Sequence, residues 1–170
     1  MTTLTTDRLV LRRMAPGDYA GWKPFMLDAR SEFVRDKPDV ATAWRGFCHV
    51  LGHWEMRGWG LFALTRRGDD RAIGSVGPWY PENWTEKEIG WTLWSAEHEG
   101  NGYVTEAAEV ARRWVYDELG WTTAVSYIAP ENARSIAVAK RLGATLDEAA
   151  EHHFDDPCVV YRHPAPEALR

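Results

Sequence analysis

The hydrophobic pattern opens on Arg8-Leu9-Val10-Leu11-Arg12, which alternates and carries a β-branched residue, so it reads as a strand. Ala15-Pro16-Gly17-Asp18 breaks it, and Asp18 is placed to cap a helix running toward Leu27. From Asp39 the period changes. Val40, Trp44, Phe47, Leu51 and Trp54 share one face of a longer helix that Gly58 stops. Three strands follow: 60–65, 72–79 (loosened by Gly74 and Gly77) and 86–94. Arg66 to Asp70 and Pro81-Glu82-Asn83 separate them, and such short connections predict an antiparallel meander.

A helix is predicted from Tyr103 to Glu118, with Val104, Ala107, Ala108, Ala111 and Val115 as its apolar stripe and Gly120 as its end. A strand is expected at 123–128 and a helix at 133–142, opened by Pro130-Glu131-Asn132 and closed by Gly143. Strands at 145–150 and 158–163 complete the order β-α-α-β-β-β-α-β-α-β-β. That order predicts one α+β (mixed α/β) domain over 1–170, a mixed sheet with helices packed on it.

Composition narrows the functional classes. The chain has 170 residues, 45% of them hydrophobic and 26% charged, as expected of one globular domain. A net charge of −5 argues against a basic nucleic-acid footprint. The longest apolar run falls far short of the roughly 20 residues of a membrane span. No secretory signal is expected from Met1-Thr2-Thr3-Leu4-Thr5, so a cytoplasmic location is the expectation. Cys48 and Cys158 have no metal-ligand spacing. His49 and His53 are four apart, but Val50 stands where a zinc protease needs glutamate, so they read as the polar flank of a helix and no metal is expected. His98, His152 and His153 are expected to face solvent.

The segment from Trp94 to Ala107 carries the strongest chemical signal. A strand enters, Gly100-Asn101-Gly102 turns, and a helix leaves. Free backbone N–H groups at such a helix start suit a phosphate or pyrophosphate. A P-loop would need a lysine, and a dinucleotide fingerprint a glycine where Thr105 stands, so both fit poorly. Alone, the turn is equally a plain glycine turn.

With Thr6-Asp7-Arg8-Leu9-Val10-Leu11-Arg12 at the start, and Asn132-Ala133-Arg134-Ser135 with Lys140 to Ala144 in the next βα unit, the chain resembles the GNAT superfamily of acyl-CoA-dependent N-acetyltransferases. Its pattern is most similar to the RimJ/RimL-type branch. The resemblance spans nearly the whole chain and implies bound acetyl-CoA. Amides of Gly100, Asn101, Gly102, Tyr103, Val104 and Thr105 would hold its pyrophosphate. Leu93 and Trp94 would pair with the pantetheine arm at a splay between strands 86–94 and 123–128. Asn132 would bond the pantetheine or fix its own loop, and Arg134 would meet the ribose phosphate. Glu99 stands where the family pattern has Gln or Arg, and Val104 where it has a small residue.

The resemblance also places a base and an acid. Glu88 matches a strand glutamate that acts as base in several members, often through water. Glu86 is on the same face and is the fallback. Ser135 sits where a hydroxyl approaches the CoA sulfur, while Ala139 stands where many members carry a tyrosine acid. Tyr103 and Tyr127 are the remaining hydroxyls. Glu88 and Ser135 also have plain structural readings, as a solvated strand residue and a helix first-turn residue. Trp79 and Trp84 flank Glu88 and suit a cationic amine. Trp44, Trp54 and Trp91 are expected in the core, Trp91 because alternation turns it away from Glu88. The activity expected is direct acetyl transfer to a primary amine, a protein N-terminus or a small amine. A homodimer is left open. The rivals are a non-catalytic acyl-CoA-binding module and a Rossmann-type dinucleotide protein.

Overall fold

Leu9 and Leu11 are fully buried, and their shared face fixes the register of the strand that carries them. In the structure, a computed structural model describing residues 2–34 and 37–169, this strand is β2 (Leu9–Arg13), preceded by the short β1 (Leu4–Thr5). Then come α1 (Tyr19–Leu27), α2 (Val40–Arg57), β3 (Phe62–Arg66), β4 (Asp69–Trp79) and β5 (Glu88–Leu93). The chain continues through α3 (Tyr103–Asp117), β6 (Val125–Ile128), α4 (Ala133–Arg141), β7 (Thr145–Leu146) and β8 (Val159–Arg162). The strands form one sheet in the order β1-β2-β3-β4-β5-β6-β8-β7. The pairs are antiparallel except β5–β6, which is parallel, so the expected mixed sheet and meander are present.

Alternation divides the sheet into two apolar faces. Phe62 and Leu64 of β3 join Leu9, Leu11 and the Ala107–Ala108–Ala111–Val115 stripe of α3. Ala63 points the other way, into a cluster built by Trp22, Phe25 and Met26 of α1 with Phe47 and Val50 of α2. The α3 stripe lies where the period of its sequence puts it.

The α2 stripe is turned by about one position. Val40 and Trp44 are 52% and 56% exposed, and the buried positions are Ala43, Phe47, Val50, His53 and Trp54. Small residues decide this. The Trp22 indole donates to the Ala43 carbonyl at 2.9 Å, and an added Cβ at Gly46 would stand 3.4 Å from the same ring. Close approach of α1 at Ala43 and Gly46 outweighs burial of Trp44, which remains edge-on to Tyr19. The helix ends fall where expected: Asp39 caps the start by accepting from the Thr42 amide, and Gly58 takes φ 76° at the stop. Asp18 differs. Its carboxylate accepts two 2.8 Å bonds from Arg12 rather than capping α1.

Strands 145–150 and 158–163 shrink to β7 and β8, because Asp147 turns the chain and accepts from Arg162 at 2.6 Å. β8 inserts between β6 and β7.

The break that matters for function lies between β5 and β6. They share one registered pair, Glu88 with Val125, and then diverge. The Ser126 hydroxyl donates to the Ile89 carbonyl at 2.7 Å where a ladder amide would otherwise serve. The Trp94 amide donates to Ile73 on the β4 side, so by alternation the amides of Trp91 and Leu93 face the gap.

Candidate active site

Two cavities open along this splay. The first, about 690 Å³, runs from Leu93 past the glycine turn to α4. Gly100 and Gly102 both have φ 75°, a left-handed backbone that favours glycine. The first intrahelical bond of α3 is from Glu106 to Gly102, so the Tyr103, Val104 and Thr105 amides have no intrahelical partner. Thr6 and Arg8 both bond the Glu106 carboxylate, and Arg8 also donates to the Asn101 carbonyl at 2.9 Å. The opening strand therefore pins the turn to the sheet. Asn101 is spent internally, its amide donating to the His98 and Glu99 carbonyls. Val104, which stands where the family pattern has a small residue, is 9% exposed, so its side chain points largely inward.

Positive charge collects on this cavity. Arg30, Arg134 and Arg141 line it. Arg30 and Arg134 meet at Glu99 Oε1, at 2.7 and 3.0 Å, which holds the Glu99 carboxyl below its usual range. Arg134 thus lines this cavity and shares a carboxylate with Arg30. Arg30 was missed by sequence reasoning. It lies in a single 3-10 turn, Ala29–Ser31, after α1 and has no motif of its own. His98 is buried within this wall, not solvent-facing, and burial lowers its pKa.

The second cavity, about 350 Å³, holds Glu88. Burial pushes the Glu88 carboxyl up to about 7, against opposing hydrogen bonds from the Trp84 indole and the Tyr127 backbone. The Trp84 bond is short, 2.6 Å. Gly90 leaves room for the carboxylate, since a Cβ there would lie 3.4 Å from Glu88 Oε1. Trp79 and Trp84 both line the cavity, edge to face at 6.4 Å. Trp79 stacks on His53 at 4.5 Å. His53 is buried, not a polar flank. Its Nε2 accepts from the Tyr80 amide, so Nδ1 carries the proton given to the Trp59 carbonyl. His153 is also half-buried, packed 4.0 Å from the Trp84 ring. Among the described residues no cluster of metal ligands occurs.

Three further expectations change. Glu86 does not line the cavity with Glu88. Strand β5 begins after it, and its carboxylate takes two 2.8 Å bonds from Arg162. Trp94 is buried among α1 residues with its amide engaged, so of the Leu93–Trp94 pair only Leu93 borders the splay. Trp91 is not plain core. With no β6 neighbour beside it, its ring borders both cavities and its indole donates to Ser135 Oγ at 3.3 Å.

The cavities meet at Trp91, Thr92, Asn132 and Ser135, which line both, together with Phe33 and Val34. Asn132 caps α4 by accepting from the Ser135 amide at 3.1 Å. That bond lets Asn132 fix its own loop, and its position lining both cavities leaves it beside the splay.

Residues 8–145 match the family model described as Acetyltransferase (GNAT) domain. The chain belongs to the GNAT acetyltransferase family. It is an N-acetyltransferase by that membership, and its sheet and helices are those of the GNAT fold. It is 38% identical to an acetyltransferase from Agrobacterium tumefaciens str. C58, whose crystal structure superposes with a TM-score of 0.89, covering 96% of this chain and 95% of that one. It is 28% identical to the Bacillus subtilis (strain 168) protein YkkB over 94% of each chain. The fold is also similar to that of RimL, ribosomal L7/L12 alpha-N-protein acetyltransferase, in complex with coenzyme A, at 18% identity, a TM-score of 0.75, and coverage of 98% and 99%. No helix among the described residues is long and apolar enough to cross a membrane.

Proposed function

We propose that this GNAT enzyme, one catalytic unit over 1–170, transfers the acetyl group of acetyl-CoA directly to a primary amine, as in the RimJ/RimL-type branch, within the cytoplasm. The observation that carries the reading is the meeting of the two cavities at Ser135 and Trp91. One has a helix N-terminus and three arginines, and the other a single raised carboxylate. Acetyl-CoA, when bound, supplies a thioester carbonyl that accepts an amine nitrogen and a sulfur that leaves.

The residues divide that work. Amides of Gly100 and Gly102 through Thr105 hold the pyrophosphate, with Arg30 and Arg134 beside them. The gap-facing amide and carbonyl of Leu93 take the pantetheine as an added strand. The acceptor arrives mostly as ammonium and must lose a proton. Glu88, as carboxylate, takes it directly or through water, and an acceptor value near 7 suits a base at neutral pH. Ser135 Oγ already accepts from Trp91, so its own proton is free for the leaving sulfur. Trp79 and Trp84 flank the incoming nitrogen.

Cys158 supports transfer without an acetylated enzyme. Burial pushes its thiol up to about 11, so it is protonated and weakly nucleophilic at neutral pH. Intact-mass measurement after mixing with acetyl-CoA alone is expected to show no stable 42 Da adduct on a thiol; an adduct at Cys158 that reacts on with amine would overturn direct transfer.

Two substitutions probe the assignments. Trp84→Phe removes a hydrogen bond that favours the charged carboxylate. The acid limb of kcat/KM then moves to higher pH, and activity at pH 7 falls about three- to tenfold. An unmoved limb would detach Trp84 from the base. Gly102→Ala puts a Cβ at φ 75°, and it raises KM for acetyl-CoA about tenfold with little change in kcat. Unchanged KM would remove the turn from the cofactor site. The experiment that tests the whole reading is thiol release from acetyl-CoA with primary amines and peptides. CoA binding without turnover on any of them would favour a non-catalytic CoA-binding module.

A further inference from the structure

We propose that the acceptor is a small primary amine with one amino group and an apolar, aromatic body; this rests on the acetyl transfer proposed above. The Glu88 cavity is lined by the rings of Trp79, Trp84, Trp91 and Tyr127 around one half-buried carboxylate, with the exposed Phe33 and Phe154 also on its lining. Among the described residues Glu88 is the only acidic or permanently charged side chain on that lining, and partial desolvation beside the Trp79 ring shifts the exposed His49 toward its neutral form. The basic residues stand on the other cavity, at Arg30, Arg134 and Arg141.

This division selects by charge count. A first ammonium has a partner in Glu88 and can give it a proton. A second would lose water among these rings, where the described residues offer no second carboxylate to meet it, which is costly. A polar chain gains little from the ring walls, where the Trp84 indole is committed to Glu88 and the Trp91 indole to Ser135, and the Tyr127 hydroxyl already accepts from the Glu86 amide. At about 350 Å³ the cavity is at the small end of ligand pockets, roughly 300–1,000 Å³, and suits one ring and a short linker rather than several residues of a peptide.

In balance, the amine nitrogen forms a bond to the acetyl carbon and the carbon–sulfur bond breaks. One nitrogen proton goes to Glu88 before attack, and a second follows the electron pair to sulfur through Ser135.

The test is thiol release with acetyl-CoA and four acceptors: 2-phenylethylamine, ethanolamine, spermidine and a serine-initiated pentapeptide. The expected kcat/KM for 2-phenylethylamine exceeds each of the others by about 100-fold or more. Phe154→Ala is expected to raise KM for 2-phenylethylamine about tenfold and leave ethanolamine unchanged. Preference for spermidine or the pentapeptide, with turnover lost in Glu88→Gln, overturns this acceptor class but not the acetyl transfer. Preference for ethanolamine, or equal loss on both amines in Phe154→Ala, overturns the class as well. Calorimetric binding of CoA with no turnover on any acceptor overturns both.

Discussion

Glu88→Gln is expected to lower kcat by roughly 10²- to 10⁴-fold, the usual worth of a positioned base, while the affinity for acetyl-CoA is unchanged. The substitution keeps the volume and an oxygen for the Trp84 indole, so the cavity walls stay in place. It removes only the ability to take a proton. The wild-type kcat/KM should rise with pH through about 7, because Glu88 titrates there and only its carboxylate form accepts. In the variant that limb is absent.

Stability moves the opposite way, and this separates chemistry from misfolding. The folded state raises the Glu88 pKa from 4.5 to about 7, so it holds the proton more tightly than the unfolded chain. Charging the half-buried group therefore costs stability as pH rises from about 4.5 through 7, and the cost is complete above that. Glu88→Gln has no such cost. Its melting temperature should exceed the wild type's at pH 8, by an amount on the order of 1–3 kcal/mol in stability, and match it near pH 4. A variant that is inactive and less stable at pH 8 would mean that Glu88 holds the fold rather than serving as base.

The order of elements was legible because each carries its own period and its own stop. Leu9 and Leu11, the alanine stripe of α3, and Gly58, Gly120 and Gly143 needed no tertiary information. What was hidden depended on neighbours. Nothing local says that Ala43 and Gly46 let α1 come close, so the bulkier Trp44 was given the buried place. Glu86 and Glu88 share a face only if the strand begins before both. Arg162, distant in sequence, claims Glu86 instead. Alternation alone puts Trp91 in the core, a rule that presumes a strand on each side. The same splay that opens the cleft removes that neighbour. The glycine turn was legible as a phosphate site, but Arg30 was not, since a lone arginine between helices has no spacing to mark it. The meeting of the two cavities at Ser135 needed the fold.

Gly74→Ala is expected to be the most disruptive single-methyl change in the chain, costing about 3 kcal/mol or more. A Cβ there would lie 2.2 Å from the Thr92 carbonyl oxygen and 3.3 Å from the Leu93 Cα. These are backbone atoms, so no rotamer change relieves the contact. Gly74 pairs with Leu64 on one side and Leu93 on the other, so β4 cannot move away without straining β3. The displaced atoms belong to the stretch of β5 that borders the larger cavity, and the proposed pantetheine edge at Leu93 moves with them. A lower melting temperature and weaker acetyl-CoA binding in whatever fraction stays folded are therefore expected together. Gly52→Ala is the matched control. It lies in α2 with nothing within 4 Å of an added Cβ, and a helical glycine replaced by alanine gains about 0.5–1 kcal/mol. If chemical denaturation found both variants near wild type, the close approach of β4 to β5 at Gly74 would be wrong, and with it the placement of Leu93 on the edge of the splay.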